Sequence, residues 1–391
     1  MSKNNAYPAL RLKSGREHST LSRHPWIFSG ALQDIPNLPA GTVVQIVSAD
    51  GSAIGLGHFY HGSIAVKVFS LEQSIADESQ FWKARLQNAV ELRRELGLFG
   101  RTNTSGFRLV NAEGDGFPGL IVDLYGAAAV FQFQACGLEP WRNELLSVLD
   151  ELLPTRLEDV IYCPSAEGAH PEFLRGGKER VIFQEYGLSF EADLKNGQKT
   201  GFFLDQRDNR ALLGRIAKDR TVLNCFAYTG AFSVYALQGG AQRVTSVEIS
   251  KHCEELIGKQ LELNQLSPDR HEFLRADCLE YLHSIAEPAD LIVLDPPAFI
   301  KHRGAFGGGI KGYETINHLA LKHLGPGGLL MTFSCSQLLS REDFFSMLKK
   351  SALRAGKDVQ LLCELHQAPC HPAALGHPEG TYLKGCLLRV R

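Results

Sequence analysis

Apolar residues recur along the chain in three successive patterns. Up to about residue 72, the runs TVVQIVSA (42–49), AIGLGHFY (53–60) and IAVKVFS (64–70) are separated by Gly and Asp-Gly punctuation. Such short, punctuated runs predict a small strand-rich barrel or sheet. From 77 to 98, Phe81, Leu86, Val90, Leu92 and Leu96 return at roughly helical spacing, predicting a helix that leads into the next module. Between 106 and 193 the stretch FRLVNAEGDGFPGLIVDLYG reads as strand, Gly/Asp/Pro turn and strand, followed by AAAVFQFQ, so a hairpin-based α+β module is expected. From 221 onward TVLNCF, GAFSVYALQGG, VTSVEIS, a helix over 251–263, EFLRAD and DLIVLDPP alternate strand with helix. That alternation signals βαβ units on a parallel sheet. The expected organisation is therefore 1–72, 73–193 and 194–391.

Composition narrows the class of protein. Hydrophobic residues make up 44% and charged residues 21% of 391, ordinary globular usage with enough apolar surface for a core. Lys plus Arg number 41 against 43 Asp plus Glu, a net charge of −2, so any nucleic-acid site must be a local patch rather than a global field. Nine scattered cysteines without a CxxC pair suit a reducing cytoplasm, and neither a disulfide framework nor a zinc site is expected. The N-terminal stretch MSKNNAYPALRLKSGREHS lacks an apolar signal region and no long apolar run follows, so neither secretion nor membrane insertion is expected.

Candidate chemistry lies at the ends of the predicted parallel strands, where open α/β sheets bind their ligands. The turn after the first is Asn224-Cys225-Phe226-Ala227-Tyr228-Thr229-Gly230. Its single glycine provides poorly for the close approach of a pyrophosphate, and a cofactor without phosphate fits better. S-adenosylmethionine, with its adenosine, amino acid and sulfonium, needs only such a turn. Glu248, with Ile249 beside it, ends the second strand where an acid can accept hydrogen bonds from both ribose hydroxyls. Asp277 and Cys278 close the third, within reach of an adenine amino group. The fourth ends in Asp295-Pro296-Pro297-Ala298-Phe299, whose prolines stop the strand and fix the backbone that carries Asp295. The next leads into Ser334-Cys335-Ser336. A Cys335 thiolate there could add to C6 of a pyrimidine and make C5 nucleophilic enough to take a methyl group.

At these residues the sequence resembles the bacterial 23S ribosomal RNA large-subunit methyltransferase I family, and the resemblance spans nearly the whole chain. Lys13-Ser14-Gly15-Arg16-Glu17 and Arg23-His24-Pro25-Trp26-Ile27-Phe28-Ser29-Gly30 resemble its PUA-type RNA-binding module, and Gly114-Asp115-Gly116-Phe117-Pro118-Gly119-Leu120 its central insert. Lys199-Thr200-Gly201-Phe202-Phe203-Leu204-Asp205-Gln206-Arg207 resembles the segment that covers the cofactor, and His377-Pro378-Glu379-Gly380-Thr381-Tyr382-Leu383-Lys384-Gly385 also matches. The resemblance implies an α/β fold: a Rossmann-like class I S-adenosylmethionine methyltransferase domain behind an N-terminal PUA-type β domain and a central α+β insert of EEHEE type. It implies 5-methylcytosine as product, Cys335 as nucleophile, and Gln206, Asn224, Phe226, Tyr228, Glu248, Asp277 and Asp295 around the cofactor. Many RNA cytosine-5 methyltransferases carry a second cysteine directly after the proline of the aspartate motif, whereas this chain has Pro297-Ala298-Phe299. Another base must therefore assist product release.

Two basic segments bear on an RNA partner. Arg11, Lys13, Arg16 and Arg23 fall close together with Glu17 as the only acid, and Lys301, His302, Arg303 and Lys311 follow the Asp-Pro-Pro motif. Gly304 to Gly312, with three consecutive glycines, reads as a flexible loop in which Lys311 meets a phosphate and through which a base enters. Phe299 either stacks on that base or packs as core. Two other readings stand beside this one: an RNA or protein N-methyltransferase in which Cys335 only fills space, and a non-catalytic RNA-binding factor for ribosome assembly. A homodimer is compatible with all three.

Overall fold

The computed structural model describes residues 7–100, 102–284 and 289–391, so the first six residues of the N-terminal stretch lie outside the described residues. The chain divides into two compact units. The first comprises Met1–Gly187, Ala192–Phe202 and Pro369–Gly380; the second comprises Leu188–Glu191, Phe203–Ala368 and Thr381–Arg391.

In the first unit β1 (Ala9–Arg11), α1 (Glu17–Leu21), β2 (Trp26–Phe28), β3 (Val43–Val47), β4 (Ala53–Phe59) and β5 (Ile64–Ser70) come first along the chain. The strands form one sheet in the order β1-β3-β4-β5-β2, closed over a core of Leu10, Leu12, Ile27, Val44, Ile46 and Phe59. Then come α2 (Glu78–Glu95), β6 (Gly106–Asn111), β7 (Leu120–Tyr125), β8 (Ala128–Phe133), α3 (Arg142–Leu152), β9 (Asp159–Cys163) and β10 (Glu172–Arg175). These five strands make a second sheet, β10-β9-β8-β7-β6, in which β8 and β9 run parallel.

Helix α2 starts where Asp77 accepts from the Gln80 N–H, but it does not bury all the positions that the apolar spacing marks. Trp82, Leu86, Ala89 and Val90 are buried, Leu92 and Leu96 only half so, and the side chain between them, Arg93, is fully enclosed. Its guanidinium is bidentate to Asp115 at 2.6 and 2.8 Å and reaches the carbonyls of Arg108 and Cys370. Glu113 accepts from Trp26 Nε1 at 2.9 Å and from Lys67 at 2.7 Å. The Gly/Asp/Pro turn is thus an anchor for both sheets, which is why two expected domains share one compact unit.

Strands β11 (Arg180–Glu185) and β12 (Leu188–Asp193) form a two-stranded sheet. There follow α4 (Arg207–Ile216), β13 (Thr221–Cys225), α5 (Ala231–Gln238), β14 (Arg243–Glu248), α6 (His252–Leu263), β15 (His271–Arg275), α7 (Cys278–Ser284), β16 (Leu291–Leu294), α8 (Phe306–His323), β17 (Leu329–Ser334), α9 (Arg341–Ala355), β18 (Val359–Leu365) and β19 (Lys384–Val390). The sheet order is β15-β14-β13-β16-β17-β19-β18, parallel from β15 to β17 and antiparallel at β19. Every residue of β16 and β17 is buried, as continuous apolar strands covered on both faces must be. This is a Rossmann-like α/β fold. Its strand order reverses between β13 and β16, and the crevice beyond their carboxyl ends is where such sheets bind ligands.

The stretch expected as a flexible loop, Gly304 to Gly312, is instead a short 3-10 turn followed by the start of α8. Glycine in a helix costs about 1 kcal/mol relative to alanine, but tertiary packing decides. Tyr313, Ile316, Asn317, Leu319 and Ala320 bury one face of α8, and Gly309 lies where a Cβ would stand 2.8 Å from the Phe299 carbonyl oxygen. The glycine lets the helix press against the segment after the Asp-Pro-Pro motif. No helix among the described residues is long and apolar enough to cross a membrane.

Candidate active site

The loop after β13 is held in an unusual backbone conformation. Phe226, Tyr228 and Gly230 all have positive φ, at 60°, 46° and 75°. For residues other than glycine this costs on the order of 1 to 3 kcal/mol each and persists only where the surroundings impose it. Here the ties are visible. Glu248, at the end of β14, accepts from Tyr228 N at 3.2 Å through one oxygen and from Ile249 N and Ser250 N at 2.9 and 3.2 Å through the other. The Phe226 N–H donates to Cys278 Sγ at 3.1 Å, and the Tyr228 ring meets Phe203 edge-on with centroids 5.3 Å apart. Gly230 opens α5 where a Cβ would crowd Ile257 at 2.7 Å.

Of the side chains that the sequence marks for the cofactor, Asn224 and Cys278 serve the fold of this loop, while Gln206 and Asp277 bond elsewhere. Asn224 is buried inside β13, and its amide donates to Ser233 Oγ at 2.9 Å. From there a chain of hydrogen bonds continues through Ser246 to His271 Nε2 at 2.7 and 2.8 Å. Cys278 is also buried; besides holding Phe226 it bonds to Cys225, whose thiol is pushed up by that bond and by burial. Gln206 is buried with Oε1 accepting from Asn209 at 2.6 Å. Asp277 caps α7, accepting from Leu279 N and Glu280 N at 2.8 and 3.1 Å. By contrast Glu248 is half-buried, Asp277 is exposed, and Ile249 is 63% exposed, apolar surface of the kind a purine ring covers. Thr229 and Pro296 are buried in the two turns that flank the crevice.

At the ends of β16 and β17 the geometry is tighter. Asp295 is half-buried directly after β16. Phe299 is half-buried and tilted against Tyr313 with centroids 4.6 Å apart, and it meets Phe226 edge-on at 6.5 Å. It packs against the core and stays half-exposed. The Phe299 N–H donates to Tyr313 OH at 3.3 Å, the Ile300 N–H to Ser336 Oγ at 3.1 Å, and the two hydroxyls meet at 2.8 Å. Ser334 and Ser336 are buried, but Cys335 between them is half-exposed. Strand β19 runs antiparallel to β17 with Lys384 opposite Ser334, so its first residue reaches the same edge. Lys384 Nζ donates to the Ser336 carbonyl at 2.8 Å. Burial lowers its pKa to about 8, and the Cys335 sulfur opposes that fall. Burial raises the Tyr313 hydroxyl, with the bonds to Ser334 and Ser336 acting against it.

Nothing in the sequence pattern alone marks Lys384 or Tyr313 as functional residues. Lys384 stands in a motif that the family resemblance matched, but its place beside Cys335 follows only from the antiparallel pairing. Lys311 is exposed on α8. Arg11, Lys13, Arg16 and Arg23 are exposed in the first unit, with Arg11 donating to the Ala49 carbonyl and Lys13 to that of Gly30.

Residues 165–374 match the S-adenosylmethionine-dependent methyltransferase family, and residues 10–71 match the PUA-like domain. The ribosomal RNA large subunit methyltransferase I of Tolumonas auensis is 41% identical over 97% of this chain and 98% of its own. That of Pseudoalteromonas translucida is 37% identical over 98% and 99%. Among solved structures, a candidate S-adenosylmethionine-dependent methyltransferase from Streptococcus mutans superposes with a TM-score of 0.85 at 24% identity, covering 98% of this chain and 100% of that one. A methyltransferase structure complexed with SAH gives the same values. At that identity the two structures speak to the fold.

Proposed function

Because the chain belongs to the ribosomal RNA large subunit methyltransferase I family of S-adenosylmethionine-dependent methyltransferases, we propose that it methylates C5 of a cytosine in 23S ribosomal RNA with Cys335 as nucleophile. The observation that carries the reading is the position of Cys335. It is the half-exposed residue of an otherwise buried Ser-Cys-Ser segment, at the carboxyl end of the strand next to the one that ends in Asp295.

S-adenosylmethionine, when bound, supplies a methyl group carried on a sulfonium. The residues present suit it: a half-buried carboxylate at the end of β14, exposed apolar surface on Ile249, and a strained loop with no phosphate cradle. Glu248 holds the ribose, Phe226 and Ile249 bound the adenine, Asp277 meets its amino group, and Tyr228, Thr229, Gly230 and Pro296 shape the rest. Asn224 and Cys278 act from behind, by keeping the loop in place, and Gln206 braces the start of α4 through Asn209.

Cytosine C5 is a weak nucleophile. Cys335 Sγ forms a bond to C6, and the ring electrons move toward C5, which can then take the methyl group. Asp295 holds the N3–N4 edge and keeps the ring in line. Afterwards the C5 proton leaves to a base, the Sγ–C6 bond breaks, and its electron pair returns to sulfur. A base inside a helix must first be unstacked, and the half-exposed Phe299 ring is placed to meet the extruded base. Arg11, Lys13, Arg16, Arg23 and Lys311 bind RNA phosphates.

The test is to map methylated cytosines in large-subunit ribosomal RNA from cells with and without the protein. Loss of 5-methylcytosine at a defined position is expected. Unchanged 5-methylcytosine, or loss of a methyl group from an exocyclic nitrogen, would replace the reading with an N-methyltransferase.

A further inference from the structure

We infer that Lys384 is a positioning residue for the proposed reaction, the ammonium that holds Cys335 as a thiolate. The inference rests on the assignment of Cys335 as nucleophile. Lys384 is half-buried, and among the described residues its hydrogen-bond partner is the Ser336 carbonyl, one residue beyond the thiol. That bond uses one of three ammonium hydrogens and brings no opposite charge. Among the described residues no carboxylate pairs with Lys384. A lysine removed from water with no acidic partner is an unusual expense, and its depressed pKa of about 8 reflects it. A thiolate at Cys335 supplies the missing negative charge.

The surrounding groups leave this role to Lys384. Tyr313 on α8 is kept protonated by burial, so its hydroxyl can donate but brings no positive charge. Glu364 on β18 is engaged with Arg341, and Cys386, further along β19, is pushed up by burial. Asp295, directly after the adjoining β16, brings no positive charge. Lys384 is the cation that β19 brings to the same edge, and there it stabilises a Cys335 thiolate. The proton released by the thiol goes to solvent; Lys384 keeps its own.

The experiment measures the rate of alkylation of Cys335 by iodoacetamide across pH in the full-length protein, with the site read by peptide mapping because the chain has nine cysteines. In the wild type the midpoint should lie below the free-thiol value of about 8.5. Lys384→Gln keeps a donor for the Ser336 carbonyl but removes the charge. It should move the midpoint up by about one pH unit and slow alkylation at pH 7 about tenfold, while Lys384→Arg should keep the midpoint low. SAH binding by calorimetry checks that each variant is folded. A Gln midpoint equal to that of the wild type overturns the inference. So does a wild-type midpoint at or above 8.5, a measurement that needs no variant. Because alkylation reads the thiol without RNA, an unshifted midpoint in a protein whose Cys335→Ala variant loses methylation removes Lys384 alone. A shifted midpoint with methylation retained in Cys335→Ala removes the nucleophile assignment instead.

Discussion

Glu248 carries two duties, and replacing it with glutamine separates them. A carboxylate offers about four acceptor sites. Three are occupied by the N–H groups of Tyr228, Ile249 and Ser250, which leaves one, on the oxygen that Tyr228 shares, for a ribose hydroxyl. In Glu248→Gln the amide oxygen can keep the Ile249 and Ser250 bonds only if the NH2 group turns toward the Tyr228 N–H, donor against donor. The loop then loses the tie that holds Tyr228 at φ 46°, and the ligand loses its acceptor. Hydrogen bonds to a charged group contribute about 1.5 to 3 kcal/mol, so S-adenosylmethionine should bind roughly 10- to 150-fold more weakly. Glu248 is half-buried, so water can reach it and the melting temperature without cofactor should fall by only a few degrees. Calorimetric titration with S-adenosylmethionine and SAH measures the first effect and thermal unfolding the second. A dissociation constant within about threefold of the wild type, in a folded variant, would remove Glu248 from the cofactor site.

Replacing Arg11 and Lys13 with glutamine should weaken RNA binding and flatten the plot of log affinity against log salt by about 0.7 to 0.9 for each phosphate that is no longer neutralised; an unchanged slope would place the RNA elsewhere. His58 is buried and His271 half-buried, and each titrates at about 4, below the value of about 6.5 in an unfolded chain. The unfolded state therefore binds protons first, so the stability these two groups contribute is complete above about pH 6.5 and falls as pH drops toward 4. The loss at about pH 5 is about 2 kcal/mol per histidine, and urea unfolding midpoints that match at about pH 7.5 and pH 5 would contradict it.

The parallel sheet was legible because strands alternate with helices from 221 onward and its inner strands β16 and β17 are buried along their length, LIVL as a continuous apolar run. The loops at their ends, and with them Glu248, Asp295 and Cys335, follow from the alternation. What the chain hides is decided by neighbours distant in sequence. Lys384 reaches Cys335 only because β19 runs antiparallel to β17. The glycines before Lys311 suggest a loop, yet they are drawn into α8 by the buried face that follows and by the close approach of Gly309 to Phe299. Hydrophobic spacing in α2 points to Leu92 and Leu96, whereas Arg93 is enclosed, because its charge is matched by Asp115 beyond the next strand. Asn224 alternates with the buried Leu223 and Cys225, but its own side chain is also buried, beneath α5, where Ser233 receives it.

The central claim is covalent catalysis by Cys335, and trapping tests it most directly. Substrate RNA carrying 5-fluorocytidine at the target allows the Sγ–C6 bond to form and the methyl group to arrive, but fluorine cannot leave C5 as a proton does. The wild type should give a complex that survives denaturation, with the RNA attached to the peptide containing Cys335, and Cys335→Ala should give none while still binding S-adenosylmethionine. A trapped peptide without Cys335, or cytosine methylation retained in Cys335→Ala, would contradict the account.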